Sequence, residues 1–156
     1  MTLNSTSPAI SDLLLHRGNM LLLDCISTFN NEQTVAEYTP QRQAWYADAQ
    51  GNMPAWIGLE LMAQTIAAHA GLIKKVENIT PKQGVLLGTR SYSATIPFFS
   101  ADVTLHIKAV MMFRDESGLG AYDCTISNRQ NDILATATLK AFEPEDFQLF
   151  LQGATE

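Results

Sequence analysis

The residue with the clearest chemical meaning is Glu60, the single carboxylate within "MPAWIGLELMAQ" (53–64), a run otherwise almost wholly apolar. Taking a carboxylate out of water costs several kcal/mol unless it is hydrogen-bonded or protonated. Two readings follow. Glu60 is a structural acid held by an Arg or a backbone partner, or it is a general acid kept protonated by apolar surroundings. Asp48 lies in the polar loop upstream. Two carboxyls held close together separate into one protonated and one ionised group, and the ionised one accepts a proton. The plainer reading of "ADAQGN" (47–52) is a solvated loop. Of the three histidines, His69 comes nine residues after Glu60. At roughly 100° per helical residue it points to the opposite side, as a core or interface residue. His106 alternates with inward-facing residues and belongs on an outer face. Cys25 and Cys124 sit in apolar, strand-like runs without metal-ligand spacing and read as small buried hydrophobes. No metal or nucleotide motif appears, and neither a metal nor a cofactor is expected.

The elements that must position these groups show in the hydropathy pattern. "MLLLDCISTF" (20–29) and "QTVAEYT" (33–39) flank "NNE", a hairpin turn. An aromatic, polar loop follows over 40–52. Pro54 suits a first helical position, where its missing N–H does no harm. The helix is expected to run to about Ala70 and end at Gly71, with Lys74 and Lys75 just beyond. Trp56, Ile57, Leu59, Leu61, Met62, Ala63, Ile66, Ala67 and Ala70 point in nearly every direction around it. A helix apolar on all sides is buried on all sides. In a chain of 156 residues, only a sheet curling around the helix achieves that.

Strands over 85–98, 102–113, 119–128 and 132–142 supply the sheet. Val103, Leu105, Ile107 and Ala109 alternate with Thr104, His106 and Lys108, placing one face inward. Ile133, Ala135, Ala137 and Leu139 do the same, and their alanines let a helix approach closely. The expected order is two strands, one long buried helix, then a four-strand meander. This is an α+β fold, an antiparallel sheet wrapped around one long central helix, in a single domain over 1–156 with its core at about 10–142.

Composition narrows the function classes. A chain with 46% hydrophobic and 17% charged residues is globular rather than disordered. Ten basic against sixteen acidic residues, net −6, argue against a nucleic-acid partner. The first residues lack a basic, then apolar, signal pattern, and no segment reaches the length of a membrane span. A cytoplasmic protein without a membrane contact is the expectation.

Three stretches carry a resemblance. "HRGNMLLLDCIS" resembles the "PHR-x-P-hydrophobic-L-L-D" opening strand of hot-dog-fold 3-hydroxyacyl-acyl-carrier-protein dehydratases. "MPAWIGLELMAQ" resembles their "MPG-hydrophobic-E-A-x-A-Q" helix, and "GVLLGTRSYSATIPFFSAD" the strand and proline corner that follow. The likeness spans about Ile10 to Phe142. Within that superfamily, "PAWIGLELMAQTIAAHAG" and "LLGTRSY" are most similar to the dehydratase-like proteins of aryl-polyene biosynthesis clusters.

The resemblance implies a hot-dog fold and a lyase of fatty-acid or polyene-type biosynthesis. Such an enzyme eliminates water from a 3-hydroxyacyl thioester to give a 2-enoyl thioester. A His takes the proton beside the thioester carbonyl, and a helix carboxyl, carried onto Glu60, protonates the leaving hydroxyl. N–H groups at the helix start polarise the carbonyl. Tyr46, Ala55, Trp56 and Gln64 fall at substrate-binding positions. Ala55 replaces the family's Gly, narrowing the space while still offering an N–H. Trp45, Tyr46 and Trp56 suit either a flat pocket for a conjugated chain or interface packing.

The chain departs from the family at the base. The family's catalytic His lies in a "GHFPGNP" loop. Aligned without a gap its column falls on Tyr46, and with a shortened loop it falls near Asp48. Neither alignment offers a histidine. His16 belongs to the opening motif, where the family's His is not the base, so Asp48 is the candidate stand-in. In the resembled enzymes the site lies across a dimer interface. This chain therefore pairs as a homodimer lacking the His at both sites, or as a heterodimer with a His-bearing hot-dog relative. The acyl carrier protein that the resemblance implies is acidic, and Lys74, Lys75, Lys82 and Arg90 are the candidate docking patch, although surface lysines need no function. The alternatives are a non-catalytic acyl-binding subunit and, with less support, a thioesterase.

Overall fold

The computed structural model describes residues 9–14, 18–78, 84–143 and 152–153. His16 and Lys82 lie outside them. A short helix, α1 (Ile10–Leu13), precedes the hairpin of β1 (Cys25–Phe29) and β2 (Gln33–Tyr38). Its turn is closed by the Asn30 side chain, which accepts the Glu32 and Gln33 N–H groups. A two-residue strand, β3 (Met53–Pro54), leads through a 3-10 turn (Ala55–Ile57) into the central helix, α2 (Gly58–Val76). The remaining strands are β4 (Val85–Ala94), β5 (Phe98–Phe99), β6 (Leu105–Arg114), β7 (Leu119–Ser127) and β8 (Ile133–Phe142).

Six strands form one antiparallel sheet in the order β1-β2-β6-β7-β8-β4. This is the helix-in-sheet arrangement expected from the chain's all-round apolar helix. The meander, however, holds only for β6-β7-β8. β4 does not pair with its successor but crosses to the far edge and joins β8. The "TIPFF" corner explains the break. There the chain leaves β4, and β5 pairs instead with β3 in a separate two-stranded ribbon at the helix entrance.

Inward-facing residues follow the strand period. Thr34, Ala36 and Tyr38 from β2, Leu105, Ile107 and Ala109 from β6, and Ala135, Ala137 and Leu139 from β8 are buried. Val103 and Ile133, expected in the same rows, are exposed. Val103 precedes β6, and Ile133 lies at the first position of β8. α2 packs on β2, β6, β7 and β8. It continues past Ala70 to Val76 instead of ending at Gly71. Gly71 serves packing, because a Cβ there would sit 2.7 Å from the Leu13 carbonyl oxygen of α1. The extra turn carries Lys74 inward, where it is 7% exposed and ion-paired with Glu143.

Candidate active-site cleft

The 3-10 turn and the first turn of α2 place Trp56, Ile57 and Glu60 along one wall of a cleft of about 160 Å³. Met20 and Leu22 from the segment before β1, and Trp45 from the loop before β3, complete the lining. Glu60 is the one ionisable group among these six residues and is half-buried. Trp45 and Trp56 stand at the mouth, 54% and 67% exposed. Such indoles, with Met20, form an apolar rim around a carboxyl group.

Gln64 sits one helical turn below Glu60 and is wholly buried. Its Oε1 accepts the Leu22 N–H at 3.0 Å, with the Leu23 N–H at 3.5 Å. Its Nε2 donates to the Met20 carbonyl at 2.6 Å and to Glu60 Oε1 at 3.1 Å. The two backbone contacts decide the amide's orientation, since an N–H must meet the oxygen and a C=O must meet the nitrogen. The bond to Glu60 therefore runs from nitrogen to carboxyl oxygen. Oε1 of Glu60 is the acceptor of this bond. Gln64, expected at a substrate-binding position, ties the Met20–Leu23 segment to the helix and donates to Glu60.

The other candidates separate. Tyr46 is buried and faces inward. Its hydroxyl accepts the Gln41 N–H at 2.9 Å and shares a hydrogen bond with the Tyr38 hydroxyl. It holds the loop and does not line the cleft. Asp48 is exposed and is not among the lining residues. Its Oδ1 accepts the Gln50 and Asn52 N–H groups, both at 2.9 Å, so it organises a turn, as the solvated-loop reading expected. Ala55 donates its N–H to the Pro97 carbonyl at 3.0 Å. Its own carbonyl accepts the Gly58 N–H and the Tyr92 hydroxyl.

Tyr92 had no sequence signal. Its aim depends on an irregularity in β4, where the register shifts between Arg90 and Ser93 and Ser91 takes φ +56°. Gly58 makes room for it, as a Cβ there would overlap the Tyr92 hydroxyl. Burial pushes the Tyr92 phenol up to about 12.

Elsewhere, His69 is 1% exposed in the core, between Phe29 and Tyr122. Its Nδ1 lies 2.8 Å from the Thr34 hydroxyl, and its Nε2 is buried without a hydrogen-bond partner among the described residues. His106 lies 3.6 Å from Glu37 on the outer face. Cys124 is buried as expected. Cys25 is exposed, because it points outward beside Glu37 while its neighbour Ile26 points into the core. Desolvation and then the neighbouring Glu37 push its thiol up to about 11, far from a reactive thiolate. Of the basic patch, Lys74 is withdrawn by its buried pairing with Glu143, Lys75 is exposed, and Arg90 lies on β4 opposite Thr138. Among the described residues, no group of three or more His, Cys, Asp or Glu could hold a metal, and no helix is long and apolar enough to cross a membrane.

A family model described as "ApeP-like: ApeP dehydratase" matches residues 8–152. No curated protein sequence matches significantly. Among solved structures, the dehydratase heterocomplex ApeI:P from Xenorhabdus doucetiae contains a chain that superposes with a TM-score of 0.89 at 23% identity, covering 96% of this chain and 99% of that one. The E. coli PaaI protein from the phenylacetic acid degradation operon superposes at 0.59 and 18% identity, covering 76% and 82%. A hypothetical thioesterase from Streptococcus pneumoniae, solved with coenzyme A, gives 0.58 and 17%, covering 76% and 83%. These likenesses establish the hot-dog fold.

Proposed function

Since the chain belongs to the ApeP-like dehydratase family, we propose that it is the acid-bearing half of a dehydratase acting on 3-hydroxyacyl thioesters, paired with a His-bearing hot-dog relative. The observation that carries this reading is Glu60, aimed by Gln64 into an apolar cleft whose six lining residues include no histidine. Among the described residues the chain brings an acid, and no histidine, to this cleft. That the similar solved chain belongs to a dehydratase heterocomplex supports a partner of the same fold.

In the proposed step the partner's imidazole removes a proton from the carbon next to the thioester carbonyl. Glu60 gives its carboxyl proton to the 3-hydroxyl. The C–O bond breaks, water leaves, and the electron pair freed at C2 becomes the C2–C3 double bond. The imidazolium then returns its proton to Glu60 through solvent, and no electron acceptor is consumed. An apolar cleft keeps stray water from the enoyl product. The thioester is proposed to arrive on an acyl carrier protein and to belong to aryl-polyene-type biosynthesis.

The test follows appearance of the enoyl thioester from 3-hydroxyhexanoyl-pantetheine. The chain alone is expected to be inactive and the complex with a His-bearing relative active. Glu60→Gln, which keeps shape and hydrogen bonding, is expected to lower kcat by roughly 100-fold or more. An active complex indifferent to Glu60→Gln would sink the reading. Partner binding without any turnover would leave this chain as a non-catalytic acyl-binding subunit.

A further inference from the structure

We infer, on the function proposed above, that Tyr92 is a positioning residue for substrate binding. From β4 its hydroxyl pins the Ala55 carbonyl and so sets the turn that presents Trp56 to the cleft.

Trp56 is 67% exposed, so packing does little to place its indole, and the backbone beneath it must do so. That backbone is the 3-10 turn Ala55–Ile57, which supplies two of the six lining residues, Trp56 and Ile57. The turn is tied on both sides of Ala55. Its N–H donates to the Pro97 carbonyl at 3.0 Å, and its carbonyl accepts the Gly58 N–H and the Tyr92 hydroxyl. Two of these ties are backbone bonds, which do not depend on side-chain identity. The third is a side chain 37 residues away in sequence.

Three local irregularities converge on that third bond. β4 shifts register between Arg90 and Ser93, Ser91 takes φ +56°, and α2 opens on a glycine. A serine in the left-handed region is strained, and glycine is a poor helix former. The glycine has a steric reason, because a Cβ on Gly58 would overlap the Tyr92 hydroxyl. Such departures from backbone preference persist where the surrounding structure enforces them, and they gather at functional sites. Here all three serve one hydrogen bond, and that bond holds the turn under Trp56. Glu60 receives a separate bond from Gln64, so the loss of Tyr92's hydroxyl acts on the wall rather than on the acid.

The test is Tyr92→Phe, which removes one oxygen and keeps the ring. The Ala55 carbonyl retains its bond from Gly58, so no acceptor is stranded and the chain is expected to fold. In the active complex, KM for 3-hydroxyhexanoyl-pantetheine is expected to rise about fivefold with kcat within about twofold, the pattern of lost uniform binding. An unchanged KM, or a fall in kcat alone, would overturn the inference. A spectroscopic arm uses the chain by itself, labelled with 5-fluorotryptophan. Its two tryptophans give two fluorine resonances, and Trp45→Phe assigns them. Tyr92→Phe is expected to shift or broaden the Trp56 line and leave the Trp45 line in place. A stationary Trp56 line, or equal movement of both lines, would count against a specific hold on this wall. Gly58→Ala is expected to raise KM by the same factor, with no further rise on adding Tyr92→Phe, since both remove one bond. Additive effects would show that the two residues act separately and would also overturn it. A complex inactive before any substitution refutes the proposed function instead, and the fluorine spectra then decide whether Tyr92 holds Trp56.

Discussion

Glu60 and Gln64 act as one unit at the scale of single residues. Gln64→Leu keeps the volume but strands the Leu22 N–H and the Met20 carbonyl, at about 2–3 kcal/mol of stability. It also removes the hydrogen bond that Gln64 donates to Glu60, and kcat of the complex is expected to fall about tenfold, with denaturant unfolding and steady-state rates as the two readouts. His69 predicts an acid dependence. Burial, reinforced by the positive charge of Arg114, lowers it from 6.5 to about 4. Between those values the unfolded chain binds the proton more readily, so stability rises with pH across the window and is lost as pH falls from about 6.5 toward 4. The full contribution is of order 3 kcal/mol. Asp24 works the other way, since burial raises its carboxyl in the folded state and eases protonation there. Replacing His69 by Phe should flatten the pH 4–6.5 limb of a urea-midpoint profile. An unchanged slope would remove His69 as its cause.

Among the elements, α2 shows how packing overrides propensity. Gly71 looks like a helix end, and an alanine in mid-helix is worth about 1 kcal/mol over glycine. The Leu13 carbonyl lies where the new methyl would go, 2.7 Å away. Gly71→Ala is therefore expected to lower the melting temperature by several degrees, against the propensity sign, and a rise would show that α1 moves aside without cost. The same contact explains why the helix runs on to Val76 past the glycine at which the sequence pattern ends it. A glycine used to admit a neighbouring backbone and a glycine used to stop a helix are the same letter. Lys74 is drawn inward for a related reason, by a partner, Glu143, that is remote in sequence.

For the whole molecule, the decisive feature is the crossing of β4 to the sheet edge. It exposes Leu86 and Leu87 at 40% and 50% on a strand with one unpaired side. An exposed apolar edge strand is a template for another chain. Leu87→Lys is expected to weaken association with the hot-dog partner at least tenfold in sedimentation or calorimetry while leaving the chain's own melting temperature nearly unchanged. Unaltered affinity would place the interface elsewhere.

The sequence alone determined the buried central helix, the inward rows of β6 and β8, the lone carboxyl at Glu60 and the missing base, because each is a matter of local period or residue identity. Tertiary structure decided the rest. It set Asp48 in its own turn and Lys74 beside Glu143, joined Gln64 to the Met20–Leu23 segment, bonded Ala55 to Pro97 and Tyr92, and placed β4 beside β8. All of these depend on hydrogen bonds and strand pairings between residues far apart in the chain, and no local pattern specifies which distant groups will meet.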